Sequence, residues 1–109
     1  MAQNFRNQIT RNTGTSAVDI LAQADSYDTV IGIRCANVST SAISVDVYIV
    51  KSSTNYYLIK SAPSPSGGSL ELIDGGAKIV LASGDKIAAI STVASSLDTV
   101  VSYIDTIST

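Results

Sequence analysis

Histidine and tryptophan are absent from this chain of 109 residues, and cysteine and methionine each occur once. Without histidine there is no imidazole to act as a general base, to activate a serine or to ligate a metal. Because Cys35 has no second thiol to pair with, a disulfide within the chain is excluded. These absences predict a protein that is not an enzyme and that needs no cofactor or metal.

Charge is also scarce. Charged residues make up 15% of the chain, with a net charge of −2, whereas an average soluble domain has about 25%. The basic residues are scattered, and Arg6 and Arg11 form their only local pair. Nucleic-acid binding needs a clustered basic face, so we expect no nucleic-acid partner.

Long apolar segments are missing as well. No apolar run reaches the ~18 residues that indicate a transmembrane helix, and the first residues lack the basic and apolar segments of a signal peptide. We therefore expect no membrane partner and synthesis in a cytoplasm without secretion. For the same reason we interpret the glycosylation-type triplet Asn37-Val38-Ser39 as a chance match.

Serine and threonine, about a quarter of the chain, take the place of the missing charge. Their side chains are small and neutral, and they are compatible with β-strands. Two interpretations stay open at this point. The hydroxyls cover an ordinary exposed β surface, or they cover a surface that neighbours bury in an assembly, because burying a hydroxyl costs less than burying a charge.

From about residue 15 onward the hydrophobic pattern is that of β-strands. In the clearest run, Ile43, Val45, Val47 and Ile49 alternate with polar residues. Turn-forming segments recur roughly every 8–12 residues, the spacing of a sandwich or barrel. They are residues 37–41, 51–55, 62–68, 74–76, 83–85 and 94–98. The sequence predicts an all-β fold, an antiparallel β-sandwich that is jelly-roll-like, with about eight short strands.

The length is sufficient for one domain. Residues 1–13 are polar, with Phe5 and Ile9 as their only large apolar side chains, and fit either an N-terminal arm or a first edge strand. We divide the chain into an arm, 1–13, and a single sandwich domain, 14–109. Residues 16–25 fit both a helix and a strand, and the all-β surroundings favour a strand.

The reactive side chains have structural explanations. Asp46 and Glu71 lie on predicted strands and could pair across one face as a catalytic acid and base, but we favour the explanation that both are outward residues on alternating strands. Asp74 and Asp85 lie in turns, where aspartate makes local hydrogen bonds. Cys35 continues the face formed by Ile31 and Ile33, so we expect it in the core as a small apolar group.

The tyrosines are the most informative of the remaining residues. Tyr48 should lie on the outside of its strand, opposite in direction to Val47, and one of Tyr56 and Tyr57 should lie beside it if the two strands form a hairpin. Tyrosine is enriched in interfaces, but a cross-strand aromatic pair within one sheet is the alternative. The candidate interface residues are Phe5, Arg6, Ile9, Tyr48, Tyr56 and Tyr57.

The segments YYLIKSAPSPSGGSLELIDGGAKIVLASGDKIAAIS and SSLDTVVSYIDT resemble short virion structural proteins of tailed phages, cyanophages in particular. In that group a strand ending in lysine, a proline-rich turn, the GGSLELI strand, the KIVLASGDKI hairpin and a final SSLD strand follow in this order. IGIRCANVSTSAISVDVYIV fits the same pattern, so the resemblance covers roughly residues 28–107. It implies an architectural role in the virion, with no catalytic residues to carry over.

Three alternatives for function stay open, of which the resemblance implies the first two. The first is a capsid decoration or cement protein, a homo-oligomer (a trimer is our guess) that binds the major capsid protein through a β surface and the N-terminal arm. The second is a neck, tail or baseplate adaptor or fibre-attachment protein. The third is a carbohydrate- or ligand-binding module that uses Tyr48 with Tyr56 or Tyr57.

Overall fold

The structure is a computed structural model that describes residues 4–21, 28–73 and 79–105, and these residues form nine strands and no helix. The described part of the chain therefore contains no helix that could cross a membrane. The strands are β1 (Asn4–Thr13), β2 (Val18–Leu21), β3 (Asp28–Asn37), β4 (Ile43–Lys51), β5 (Thr54–Ser64), β6 (Ser69–Glu71), β7 (Ile79–Leu81), β8 (Lys86–Ser91) and β9 (Leu97–Asp105).

The strands form two antiparallel sheets. Sheet 1 has the order β1-β9-β3-β6, and β7 pairs with β3 beside β6. Sheet 2 has the order β2-β8-β4-β5. The first and last strands are neighbours in sheet 1, and the second and second-last are neighbours in sheet 2, which is the strand order of a jelly roll. The predicted antiparallel, jelly-roll-like sandwich is confirmed.

The core lies between the sheets because each sheet turns its β-branched and leucine side chains inward. In β4, Ile43, Val45 and Val47 are at most 4% exposed, whereas Asp46 on the opposite face is half-buried. The largest fully buried apolar side chains are Ile20, Leu21, Val30, Ile33, Val45, Val47, Leu81, Ile87, Leu97 and Val101. Alternation along the strands thus produced the buried face that the pattern predicted.

The prediction that Ile31 shares the inward face with Ile33 is wrong. The pairing of β3 with β9 shifts register between Val30 and Gly32, so one extra residue is inserted at this point. Val30 and Ile33 are both fully buried, while Ile31 is 37% exposed on the outside of sheet 1. A β-bulge reverses which residues face inward, and nothing in the local alternation signals it.

The structure also describes most of the other segments that the sequence singled out. Residues 4–13 form β1, the edge strand of sheet 1, paired along β9. Residues 18–21 are a strand, as favoured, while residues 22–25 and the turn at 74–76 lie outside the described residues. The loop expected at 62–68 begins later than predicted, because β5 continues to Ser64 and includes Pro63. Proline is tolerated there because β5 is an edge strand.

Candidate interface on the outer face of sheet 1

Exposed apolar side chains collect on one face of the sandwich. Among the described residues, five of the eight exposed large apolar side chains lie on the outside of sheet 1. We call these five residues the apolar outer face; they are Phe5 (71% exposed), Ile9 (66%), Ile31 (37%), Val80 (61%) and Val100 (40%). Exposed apolar side chains are normal when scattered, but a cluster on one face marks a contact surface.

Strand register brings these residues together from four strands. Residues opposite each other in an antiparallel pair share a face. Phe5 is opposite Ile104, which is opposite Thr29, which is opposite Val80. This cross-strand row therefore begins and ends with an exposed apolar side chain.

A second row crosses the same face four residues along β1 and β9. Ile9 is opposite Val100, Val100 is opposite Arg34, and Arg34 is opposite Glu71. The Arg34 guanidinium donates a hydrogen bond from Nε to Oε1 of Glu71, and both side chains are exposed. Arg34 and Glu71 thus neutralise each other's charge, and the other two residues of the row, Ile9 and Val100, are apolar.

Gly32 creates a hollow between the two rows. It lies opposite Ser102, which lies opposite Asn7, and the hollow is lined by Arg34, Glu71 and Val100 as well. A Cβ atom built on Gly32 would meet only Ser102 Cβ, at 4.0 Å, an ordinary van der Waals contact. A side chain at position 32 would therefore fit into the hollow, and the backbone conformation does not require glycine there.

Among the described residues, the outer face of sheet 2 carries two ion pairs, whereas the outer face of sheet 1 carries the one between Arg34 and Glu71. Lys86 Nζ lies 3.2 Å from Asp19 Oδ1, and Lys60 Nζ lies 3.9 Å from Asp46 Oδ2. Asp46 Oδ1 also accepts a hydrogen bond of 2.6 Å from the backbone N–H of Ser61.

The tyrosines of the hairpin β4–β5 form an aromatic pair on sheet 2. Tyr57 is opposite Tyr48, as the sequence predicted for one of the two consecutive tyrosines, and the ring centroids are 5.2 Å apart. Tyr48 is only 8% exposed. Its pKa is raised, mainly by burial and to a smaller extent by the nearby Tyr57. Lys60 Nζ lies 4.4 Å from the centroid of the Tyr57 ring, which is a cation–π contact.

The six candidate interface residues therefore do not form one surface. Phe5 and Ile9 lie on the outside of sheet 1, whereas Tyr48 and Tyr57 lie on the outside of sheet 2. The other two are exposed on edge strands, Arg6 on β1 and Tyr56 on β5. Of the six, Phe5 and Ile9 join other exposed apolar residues, and Arg6 lines a surface hollow together with Phe5 and Ile31.

Sequence reasoning missed Ile31, Val80 and Val100. A signal was present for all three: Val80 stands between Ile79 and Leu81, Val100 precedes Val101, and Ile31 follows Val30. Consecutive apolar residues in a strand point to opposite faces, so one residue of each run had to be outward. The signal does not say which residue of a run that is, and in β3 the bulge decides it.

The carboxylates Asp46 and Glu71 do not form a catalytic pair. They lie on different sheets and bind different groups: Asp46 pairs with Lys60, and Glu71 pairs with Arg34. Across the described ranges, no group of three or more histidine, cysteine, aspartate or glutamate residues could hold a metal ion. These carboxylates act as surface ion-pair partners.

Cys35 lies in the core, as predicted. Its side chain is fully buried, and burial, with a smaller contribution from Glu71, raises the pKa of the thiol from 9.0 to about 12. A thiolate is the reactive form of cysteine, so this group is protonated and unreactive near neutral pH.

Asn37 is a structural residue that the sequence did not reveal. It is 2% exposed, and its Nδ2 donates hydrogen bonds to the backbone carbonyls of Ser41, Ser64 and Pro65 at 2.8–3.0 Å. Its Oδ1 accepts from the N–H and the hydroxyl of Ser39. The amide nitrogen of the glycosylation-type triplet is therefore occupied and enclosed in the folded chain.

Neither a protein-family model nor a curated protein sequence matches the chain. Its fold is similar to solved structures. The capsid structure of Helicobacter pylori bacteriophage KHP30 matches with a TM-score of 0.61 and 11% identity, over 99% of this chain and 90% of that one. The nucleoplasmin-like N-terminal domain of Drosophila FKBP39 matches with a TM-score of 0.53 and 9% identity, over 98% and 93%.

A pentameric capsid protein from metagenomic phage sequences is also similar. Its TM-score is 0.50 and its identity 21%, over 95% of this chain and 62% of that one. All three identities are low, so the likeness concerns the fold.

Proposed function

We propose that this chain is a non-enzymatic structural protein of a tailed-phage virion that assembles with further copies of itself. The apolar outer face of sheet 1 is the observation that carries the proposal. Phe5 and Val80 are more than half exposed at its two ends. Water contact at such side chains is unfavourable by about 25 cal/mol per Å² of apolar surface, so covering this face favours assembly.

The charge distribution supports the same conclusion. On the outer face of sheet 1, the cross-strand pair of Arg34 with Glu71 is internally neutral, and the carboxylate of Asp98, opposite Ala36, accepts a hydrogen bond from the N–H of Asn12. The hydroxyl of Ser102 and the amide of Asn7 occupy the row between the apolar residues. A face with compensated charge and small polar groups loses little hydration free energy when a protein partner covers it.

The fold comparisons support a virion as the setting. Two of the similar structures are those of phage capsid proteins, and jelly rolls are common in capsids. The resemblance of residues 28–107 to short virion proteins of tailed phages points the same way and suggests cyanophages as the source. It also supports the non-enzymatic role, since it transfers no catalytic residue.

Within the virion, we propose capsid decoration as the role, with the outer face of sheet 1 as the β surface that meets the major capsid protein. The N-terminal residues contribute Phe5 and Ile9 to this surface. A neck, tail or baseplate adaptor is the alternative. Mass spectrometry of purified particles distinguishes the two roles, because a decoration protein has hundreds of copies per particle and a tail component has on the order of a dozen.

A carbohydrate-binding role has less support from the tyrosines. Stacking on a sugar needs a free aromatic face, but Tyr48 is 8% exposed and Lys60 lies over the ring of Tyr57. Tyr56 is 56% exposed, and among the described residues no ring or lysine contacts its ring face. A glycan array on which Tyr56→Ala binds as the native protein does removes this alternative.

The variant Gly32→Glu tests the proposal directly. It places a carboxylate in the centre of the apolar outer face, while its Cβ meets only Ser102 at an ordinary distance, so the fold is retained. We expect weaker self-association in native mass spectrometry and loss of the protein from particles assembled with the variant. Asn55→Glu, an exposed change on β5, is the control and should leave both unchanged.

The contrary result is equally clear. A native protein that is monomeric at all concentrations and absent from particles would overturn the proposal. The same measurement gives the number of chains in the oligomer. Our guess for that number is three, and the similar phage capsid protein is pentameric.

A further inference from the structure

We infer that the edge of β1 that faces away from β9, with which no other described strand pairs, pairs antiparallel with β1 of a second copy, with Asn7 of one chain opposite Asn7 of the other. This inference rests on the proposed self-assembly and names the contact through which it occurs. The partner is therefore a second copy of this chain, and the contact has a two-fold axis through Asn7.

The first argument is that β1 is the one long, regular edge in the described residues. Its register with β9 runs without interruption from Asn4 to Thr10, and it contains no proline. Its one residue with a left-handed φ, Asn12 at 57°, lies near its end. A long regular edge strand offers a row of backbone donors and acceptors to another strand.

The other long edge strand, β5, is blocked. Pro63 has no N–H to donate, and Ser61 has a left-handed φ of 53°. The pairing of β5 with β4 also shifts register twice between Val45 and Tyr48. Prolines and bulges of this kind are what proteins use to prevent edge pairing, and β1 between residues 4 and 10 has neither.

The remaining edges are too short. β2 has four residues, and β6 and β7 have three each, whereas β1 has ten. Strand addition is stabilised by consecutive main-chain hydrogen bonds, so the ten-residue edge provides the most of them.

The side chains of β1 then select the register. Phe5, Asn7 and Ile9 share the outer face, because they are opposite Ile104, Ser102 and Val100. If Asn7 is opposite Asn7 of the second copy, Phe5 of each chain is opposite Ile9 of the other. Aromatic residues opposite β-branched residues stabilise a strand pair, and the two amides can hydrogen-bond across the axis.

Neighbouring registers are less favourable. Shifting the pairing by two residues places Phe5 opposite Arg11 in one direction and opposite Asn7 in the other. A shift by one residue places outward side chains opposite inward ones, which breaks the continuity of both faces. In the inferred register Arg6 is opposite Gln8, so the like charges of Arg6 and Arg11 do not meet.

The consequence is a continuous sheet formed by sheet 1 of both chains. The apolar outer faces of the two copies join at Phe5 and Ile9 and present one extended surface to the particle. Because the contact is isologous, it joins chains in pairs. The assembly is therefore a dimer or a larger oligomer with an even number of chains.

A cysteine at position 7 tests the contact. Residues opposite each other in an antiparallel pair have Cα atoms about 4.5–5.5 Å apart, which is within the range of a disulfide. Asn7 is exposed, and the native thiol at Cys35 is fully buried. We expect Asn7→Cys to form a covalent dimer under mild oxidation, seen on a non-reducing gel.

Arg11→Cys is the matched control. It is exposed on the same strand, but in the inferred register the two copies of residue 11 are about 27 Å apart at ~3.4 Å per residue. It should remain a free thiol under the same oxidation. Equal cross-linking of both variants would show collision and not pairing, and would overturn the inference.

Asn7→Lys provides a second readout. Two ammonium groups facing each other across the axis are destabilising, so we expect self-association to weaken by roughly tenfold and to recover partly at 1 M salt, where charges are screened. If native mass spectrometry shows an oligomer while Asn7→Cys stays uncross-linked and Asn7→Lys associates normally, the β1 contact is wrong and the proposed function stands. A native protein that is monomeric and absent from particles would overturn both the β1 contact and the proposed function.

Discussion

Lys51 and Asp85 join two hairpins of the sandwich: Lys51 Nζ, at the end of β4, lies 3.1 Å from Asp85 Oδ1 in the turn that precedes β8. Asp85 Oδ2 also accepts a hydrogen bond from the backbone N–H of Ala82 at 3.1 Å. The carboxylate is 6% exposed. One buried side chain thus closes its own turn and ties that turn to the neighbouring strand.

Replacing Asp85 should therefore cost more stability than a surface ion pair would. Asp85→Ala leaves the Ala82 N–H and the Lys51 ammonium without their acceptor, and we expect a loss of about 1–3 kcal/mol in the free energy of unfolding. Urea denaturation measures it. Asp19→Ala, which removes only the exposed contact with Lys86, should change stability by less than about 1 kcal/mol, and equal losses would contradict this account.

Aspartate has nearly the same shape as asparagine, but it should not be able to replace Asn37 without loss of stability. Asn37→Asp removes the amide donor and places carboxylate oxygens against the carbonyls of Ser64 and Pro65, so we expect a destabilisation of at least ~2 kcal/mol. The midpoint of thermal unfolding should fall accordingly. Asn55→Asp, at an exposed position, is the control, and a similar midpoint for both variants would show that the Asn37 contacts contribute little.

Cys35 predicts a specific pH dependence. Because the folded state raises the thiol pKa from 9.0 to about 12, unfolding releases a proton above pH 9. The stability from the buried neutral thiol is thus complete below pH 9 and is lost as pH rises toward 12. Denaturation from pH 8 to 11 should show a steeper decline for the native protein than for Cys35→Ala. Parallel curves would contradict the raised pKa.

The bulge in β3 predicts opposite behaviour for two isoleucines that are two residues apart. Ile33 is fully buried, so Ile33→Ala should destabilise the fold by about 2–5 kcal/mol. Ile31→Ala should leave the free energy of unfolding nearly unchanged and should weaken self-association instead, because Ile31 lies on the apolar outer face. Denaturation and native mass spectrometry of both variants separate the effects, and a large loss of stability in Ile31→Ala would place that side chain in the core.

Much of the fold was predictable because local rules act along single strands. The alternation in residues 43–49 and the glycine and aspartate turn at 83–85 needed no knowledge of the partner strands. Cys35 was placed in the core correctly, since its strand continues inward from Ile33. The bulge at Ile31 and the continuation of β5 through Pro63 were not predictable, because they depend on which strand lies alongside.

The candidate interface was only half predictable for the same reason. Phe5 and Ile9 stand out in a polar segment, so composition was enough to select them. Their grouping with Val80 and Val100 follows from the pairing of β1, β9, β3 and β7, and these strands are distant in sequence. The tyrosines, selected on composition as well, pair on the opposite sheet.

The sequence by itself determined that this is an all-β chain with one core, little charge, no histidine chemistry and one inert thiol. Those properties depend on residue types and on a two-residue period, which are local. Only the tertiary structure decided which outward residues share a face, because that depends on the register between strands from different parts of the chain. It thereby showed that, in the described part of the chain, five exposed apolar side chains surround a single ion pair on the outside of sheet 1, whereas the outside of sheet 2 carries two ion pairs and the tyrosine pair.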